Sequence, residues 1–220
     1  MYQFNWRPVL QQSDLLWNGL LFGLGLALLS LAIGCVIGLL GAFARVYGGP
    51  WLKRIATAYT EFIRNVPLLL LIYFTYYGLG LMRIRLLDNV WSFVLAMSVY
   101  SGAYLIEVFR AGVLSVPRGT IEAGQAIGLT PLKVVQFITL PITFRIVLPS
   151  LGNTFIGLFK DTSLAAAISV PELTYGAMVI NTNTWRIVEV YAIVALMYLV
   201  TCYSLAALLR LLERRYAVLK

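Results

Sequence analysis

From Leu15 to Ala44 the chain carries no charged residue. A helix needs about 20 mostly apolar residues to cross the hydrocarbon of a bilayer, and this run exceeds that length. Backbone polar groups in lipid must be satisfied within the segment, so the run is expected to be helical. Composition extends the argument to the rest of the chain. Hydrophobic residues make up 60% and charged residues only 12%, whereas soluble domains are about a quarter charged. Five spans can be placed, at about residues 20–43, 60–82, 91–110, 147–168 and 190–209. The expected class is an all-α membrane protein, a single domain over residues 1–220 with no linker. The first run is too long for a signal-peptide core and lacks a nearby cleavage pattern, so it is expected to remain as a span.

Orientation follows from where the basic residues fall. Five spans place the termini on opposite sides. One side then holds Arg45, Lys53, Arg54, Arg110, Arg118, Lys133, Arg145, Arg210, Arg214, Arg215 and Lys220, eleven basic residues. The other holds four: Arg7, Arg83, Arg85 and Arg186. The positive-inside rule therefore puts the N-terminus outside and the C-terminus in the cytoplasm. The net charge of +8 is explained by this distribution, and no nucleic-acid partner is expected. Aromatic residues of the N-terminal stretch, among them Tyr2, Phe4, Trp6 and Trp17, suit the membrane–water boundary and an interfacial lead-in helix.

Chemistry is bounded by what is missing. The chain has no histidine, which removes the commonest metal ligand and general base. Cys35 and Cys202 both fall within spans, so neither a disulfide framework nor a metal site is expected. No catalytic, metal or cofactor-binding residue is assigned. The first span is instead rich in small residues. Gly34 and Gly38 are four apart, and Ala42 repeats the spacing, a pattern that lets helices approach closely in lipid.

One segment breaks the apolar pattern. Residues 113–142 form a polar loop between the third and fourth spans, with Pro117 to Pro141 as its centre. It reads as two short helices joined by a sharp turn. Gly128 stands where a helix C-terminus wants a left-handed residue. Thr130 can cap the next helix, and Pro131 suits its first position. A helix-turn-helix for DNA has a similar outline, but a loop between membrane spans leaves no room for a supporting third helix.

The spacing Glu122-Ala123-Gly124, then Gly128, then nine residues to Ile138-Thr139-Leu140-Pro141 resembles the EAA loop of ATP-binding-cassette importer permeases. That resemblance implies a type I importer permease fold and a cytoplasmic coupling helix lodged in a groove of the ATPase subunit. It assigns ATPase docking to Glu122, Ala123, Gly124, Ile127, Gly128 and Leu129. Gly124 departs from the usual alanine but keeps the small volume, at some cost in helix stability.

Two further runs resemble the amino-acid branch of that family. Glu61-Phe62-Ile63-Arg64-Asn65-Val66-Pro67 resembles its F-R-x-x-P segment, for which a role in bending the helix is expected; Glu61 and Arg64 can share a helix face, as can Glu107 and Arg110. Asn153 and Thr154 lead to Lys160-Asp161-Thr162-Ser163-Leu164, which resembles the family's translocation-path segment. A charge at that depth costs about 2.5–3.5 kcal/mol on insertion scales, and so is expected to face a cavity or another helix. Lys160 and Asp161 could complement the two charged ends of an amino acid, or lock two helices as a buried pair. Beyond Ile168, Pro171 and Glu172 suit the start of an exterior helix.

The resemblance implies a multi-pass protein of the bacterial inner membrane, bathed in lipid. Its implied partners are two ATPases carrying the ATP and magnesium, a second permease copy or paralogue, and an extracytoplasmic amino-acid-binding protein. Alternating access would then follow rigid-body movement of the spans. A transporter driven by an ion gradient would favour inverted repeats and more spans. A non-transporting scaffold would not need charges at Lys160 and Asp161. Acidic or neutral polar amino acids are weakly favoured as cargo, because no acidic residue lies between Asn153 and Phe159.

Overall fold

The computed structural model describes residues 2–81 and 88–216, apart from the side chains of 212–216. Regular structure in these residues is entirely helical. The main helices are α1 (Ser13–Tyr47), α2 (Pro50–Arg64), α3 (Leu68–Tyr73), α4 (Asn89–Leu114), α5 (Arg118–Ala126), α6 (Leu140–Asp161), α7 (Leu173–Thr184) and α8 (Ile187–Tyr216). Four helical segments are long and apolar enough to cross a membrane: Ser13–Tyr47, Asn89–Leu114, Pro131–Ile168 and Ile187–Leu211. Of the basic residues used for orientation, Arg83, Arg85 and Lys220 lie outside the described residues, as do the side chains of Arg214 and Arg215.

The segment expected as one span over 60–82 is broken. Pro50–Arg64 and Leu68–Leu81 meet at 102°. Pro67 has no amide hydrogen to continue the ladder, and its φ of −58° and ψ of 134° turn the chain into an extended step. The Asn65 side-chain amide donates to the Glu61 carbonyl at 2.7 Å, closing the last turn of α2. Only the second limb is apolar throughout, continuing past α3 through a π-turn at Phe74–Gly78. Met82, the end of the expected span, lies outside the described residues.

The segment expected from residue 147 starts earlier. Helix runs on from Pro131, through a π-turn at Val135–Thr139, into α6. Pro141 follows that wide turn at the start of α6, where its missing amide hydrogen is tolerated. The α-helix ends at Asp161, and Thr162–Ile168 tightens into a 3-10 turn closed by Ser169 at φ 61°. Ahead of α1 the N-terminal stretch forms a short helical turn, Arg7–Leu10, set off from α1 by Gln11 and Gln12.

Helices α1 and α4 are the centre of the bundle, and their small residues explain how closely they lie. A Cβ at Gly34 would strike the Ser101 side chain, and one at Gly38 would stand 2.5 Å from Leu105 Cβ. Phe93, Met97, Phe159 and Ile168 fill the core beside this seam, while Leu21, Leu28, Val36 and Leu40 point outward as lipid-facing residues should.

The start of α7 is pinned from several sides. Glu172 is fully buried, and its carboxylate accepts from the amides of Thr174 at 2.9 Å and Tyr175 at 2.8 Å. The Tyr198 hydroxyl of α8 donates to it at 3.1 Å. Burial pushes this carboxyl above the ordinary glutamate range, and the backbone donors pull part of the way back. At the same end, the Asn5 amide donates to Glu189 at 2.9 Å, and Arg186 donates to the Gln3 carbonyl at 2.7 Å. These bonds tie the N-terminal stretch to the first turn of α8.

Candidate functional site

The loop between α4 and α6 folds as a hairpin stiffened from within. Helix α5 ends at Ala126, and Gly128 just beyond its cap has a φ of +86° in the left-handed region. Its amide donates to the Gln125 carbonyl at 2.9 Å, and the Leu129 amide donates to the Gly124 carbonyl at 3.1 Å. These bonds satisfy carbonyls that the helix end leaves open. Thr130 then caps the next turn through a long bond from the Lys133 amide, 3.5 Å, with Pro131 at the first helical position.

Within this hairpin the expected docking residues divide into two sets. Glu122, Ala123, Ile127 and Gly128 are exposed, and Ile127 is 79% accessible. Gly124 is buried and turned inward. A Cβ there would collide with Ile138, with Leu129 and Val134 just behind. Its small volume therefore serves the hairpin's own closure, whereas the sequence reading gave it to an approaching partner. Leu129 is half-buried in the same contact. Two exposed residues escaped the sequence reading, Leu132 at 75% and Phe137 at 61%. The available signal was their apolar character within a segment read as polar.

The second group lies where α6 gives way to the 3-10 turn. Lys160 and Asn153 are exposed, while Asp161, Thr154 and Ser163 are half-buried. Thr154 donates to the Ser150 carbonyl at 2.8 Å, which absorbs its hydroxyl proton within its own helix. Thr162 is fully buried. Its hydroxyl donates to the Phe159 carbonyl at 2.6 Å and lies against Gly23 of α1. Thr162 thus supports the segment from behind. Lys160 and Asp161 are not an ion pair with each other; among the described residues the ion pairs are Arg45–Glu107, Arg110–Glu107 and Arg186–Glu189.

Glu107 joins two arginines. Arg110 is one turn further along α4 at 2.8 Å, as the spacing suggested, and Arg45 reaches across from the end of α1. Glu61 and Arg64 lie one turn apart on α2 but do not form an ion pair; the Arg64 guanidinium lies over the Tyr104 ring, 5.1 Å from the centroid. This whole polar group sits at the end of the bundle from which α4 leads into the Glu122 hairpin.

Over residues 33–218 the chain matches the family of binding-protein-dependent transport system inner membrane components. It is 38% identical over 218 residues to the glutamine transport system permease protein GlnP of Escherichia coli strain K12, covering 99% of this chain and 100% of that one. It is 37% identical over 210 residues to the L-cystine transport system permease protein TcyB of Bacillus subtilis strain 168, covering 94% and 89%. A crystal structure of an amino acid ABC transporter with histidines superposes with a TM-score of 0.88 at 31% identity, over 97% of this chain and 100% of that one. The inward-facing MetNI methionine ABC transporter shares the fold at a TM-score of 0.78, with 19% identity and coverage of 94% and 98%.

Proposed function

Because the chain belongs to the family of binding-protein-dependent transport system inner membrane components, we propose that it moves a polar amino acid along a path beside Asp161 and takes its driving force through the exposed hairpin at Glu122. As a member, it is the transmembrane permease subunit of an ATP-driven amino-acid importer in the bacterial inner membrane, and not itself an enzyme. An ATPase and a substrate-binding protein are its partners.

Finer features of the proposal rest on residues. Five crossings result if the bent pair Pro50–Arg64 and Leu68–Leu81 counts as one span, with the N-terminus outside and the C-terminus in the cytoplasm. The single domain over residues 1–220 then pairs with a second copy or paralogue in lipid. Two ATPases, holding ATP and magnesium, grip one hairpin each. The observation that carries this reading is the hairpin: Glu122, Ala123 and Ile127 are exposed on a turn whose interior is closed by Gly124 against Ile138. A rigid lever with an apolar, accessible tip transmits displacement, whereas a loose loop would absorb it. Leu132 and Phe137 extend the contact surface, and Gly128 with Leu129 sets its angle.

For the path, Asp161 and Lys160 are offered as groups for the cargo's ammonium and carboxylate. Ser163, Asn153 and Thr154 supply polar neighbours, and Thr162 holds the wall. The names of the similar permeases, for glutamine and L-cystine, favour a neutral polar cargo. Asp161→Asn tests the assignment in reconstituted proteoliposomes with the binding protein supplied. A hydrogen bond to a charged group is worth about 1.5–3 kcal/mol, so ATP-driven uptake is expected to fall roughly 10- to 100-fold with the complex still assembled. Uptake at the parental rate would remove Asp161 from the path.

A further inference from the structure

Between α1, α2 and α4 lies a polar cavity of 370 Å³ that the coupling hairpin and the Asp161 path do not use. Its size is at the lower end of small-molecule sites, about 300–1,000 Å³. Arg45, Glu61, Arg64, Asn65, Tyr104 and Glu107 are among its lining residues. Charge bookkeeping separates them. Glu107 is matched by both Arg45 and Arg110. Glu61 and Arg64 are left over: among the described residues, neither takes part in an ion pair. They stand one helical turn apart on α2, a spacing that puts both side chains on one face.

A free carboxylate and a free guanidinium on one wall complement the ammonium and carboxylate that every free amino acid carries. The Arg64 guanidinium is already steadied over Tyr104, which lowers the entropy lost on binding. The Tyr100 hydroxyl donates to that of Tyr104 at 3.2 Å, which extends the polar wall of the cavity by one turn of α4.

We propose that this cavity is a second amino-acid site, at the hairpin end of the bundle, in which Arg64 binds the cargo's α-carboxylate and Glu61 its α-ammonium. Such a site reads the groups common to all amino acids and leaves side-chain selection to other parts of the importer. The inference rests on the reading of the chain as an amino-acid permease.

The test uses the intact permease–ATPase complex in lipid nanodiscs, without binding protein, dialysed against an equimolar mixture of isotope-labelled L-amino acids and read by mass spectrometry. Arg64→Ala and Glu61→Gln are each expected to weaken retention roughly 10- to 100-fold, the loss of one charge-assisted hydrogen bond. Blocked probes identify the groups. N-acetyl amino acids lack the ammonium, so Glu61→Gln should not weaken them further, whereas Arg64→Ala should. Amino-acid α-amides should behave in the opposite way. No retention by the parent complex, parental retention in both variants, or a loss that ignores which group is blocked would each overturn the site. Dissociation of the complex in both variants would do so too, assigning the pair to assembly instead. Uptake by the parent complex in proteoliposomes is measured alongside; its absence would sink the transport reading, while its presence confines any failure to this cavity.

Discussion

Gly38→Leu is expected to abolish accumulation of folded permease. The seam between α1 and α4 is tightly packed, and Gly38 stands in it against both the side chain and the backbone of the facing helix. A Cβ there would lie 2.5 Å from Leu105 Cβ and 3.0 Å from the Leu105 carbonyl carbon. Backbone cannot rotate aside as a side chain can, so the two helices must separate. Overpacking a well-filled core typically costs about 1–3 kcal/mol, and a full leucine against backbone belongs at or above the top of that range. That is a large part of a total stability of about 5–15 kcal/mol. It also opens the seam that positions the polar group around Glu107. Gly25 is the matched control on the same helix, exposed and with nothing within 4 Å of a Cβ. Gly25→Leu should accumulate normally. Membrane yield and size-exclusion profiles of the two variants check this, and equal yields would show that the seam tolerates separation.

Gly128→Val is expected to leave the protein folded but to uncouple it. A Cβ at Gly128 would meet nothing within 4 Å, so space is not the constraint. The constraint is φ +86°, which a β-branched residue reaches only with strain of about 1–3 kcal/mol. The hairpin relieves that strain by releasing the turn, and the bonds from the amides of Gly128 and Leu129 are lost with it. Asparagine tolerates the left-handed region, so Gly128→Asn should retain most of the function. In proteoliposomes, ATP-driven uptake by the valine variant should drop below about a tenth of the parent's, in line with one to two kcal/mol of misplaced lever. Glu122→Lys acts on the same surface through charge and is expected to release the ATPase in pull-down. Full uptake in both variants would remove the hairpin from coupling.

Local chemistry made much of this molecule readable in advance. Gly128, Thr130 and Pro131 each announce a turn, a cap or a first helical position, and all three take those places. Glu172 caps α7, and the small residues of α1 mark the face that meets α4. Glu107 and Arg110 pair over one helical turn. What was not readable depends on distance along the chain or on competing local preferences. Arg45 reaches Glu107 across 62 positions, with no periodic pattern to betray it. Glu61 and Arg64 have the spacing of a helical pair, yet Tyr104, on another helix, takes the guanidinium. Hydropathy alone joined α2 to α3 because Pro67 interrupts the backbone ladder without interrupting the apolar run. Gly124 looked like a partner's foothold, since a small residue in a loop gives the same signal whether the close neighbour is foreign or, as with Ile138, internal.

The coupling role of the Glu122 hairpin is most directly tested by photocrosslinking from Ile127, a docking candidate that is 79% accessible. A photoreactive phenylalanine analogue at that position, in membranes containing the ATPase, should yield a permease–ATPase adduct on illumination. A thiol placed there should be labelled by membrane-impermeant reagents in inside-out vesicles and not in right-side-out ones. Labelling from the outside, or no adduct with the ATPase in an assembled complex, would contradict it.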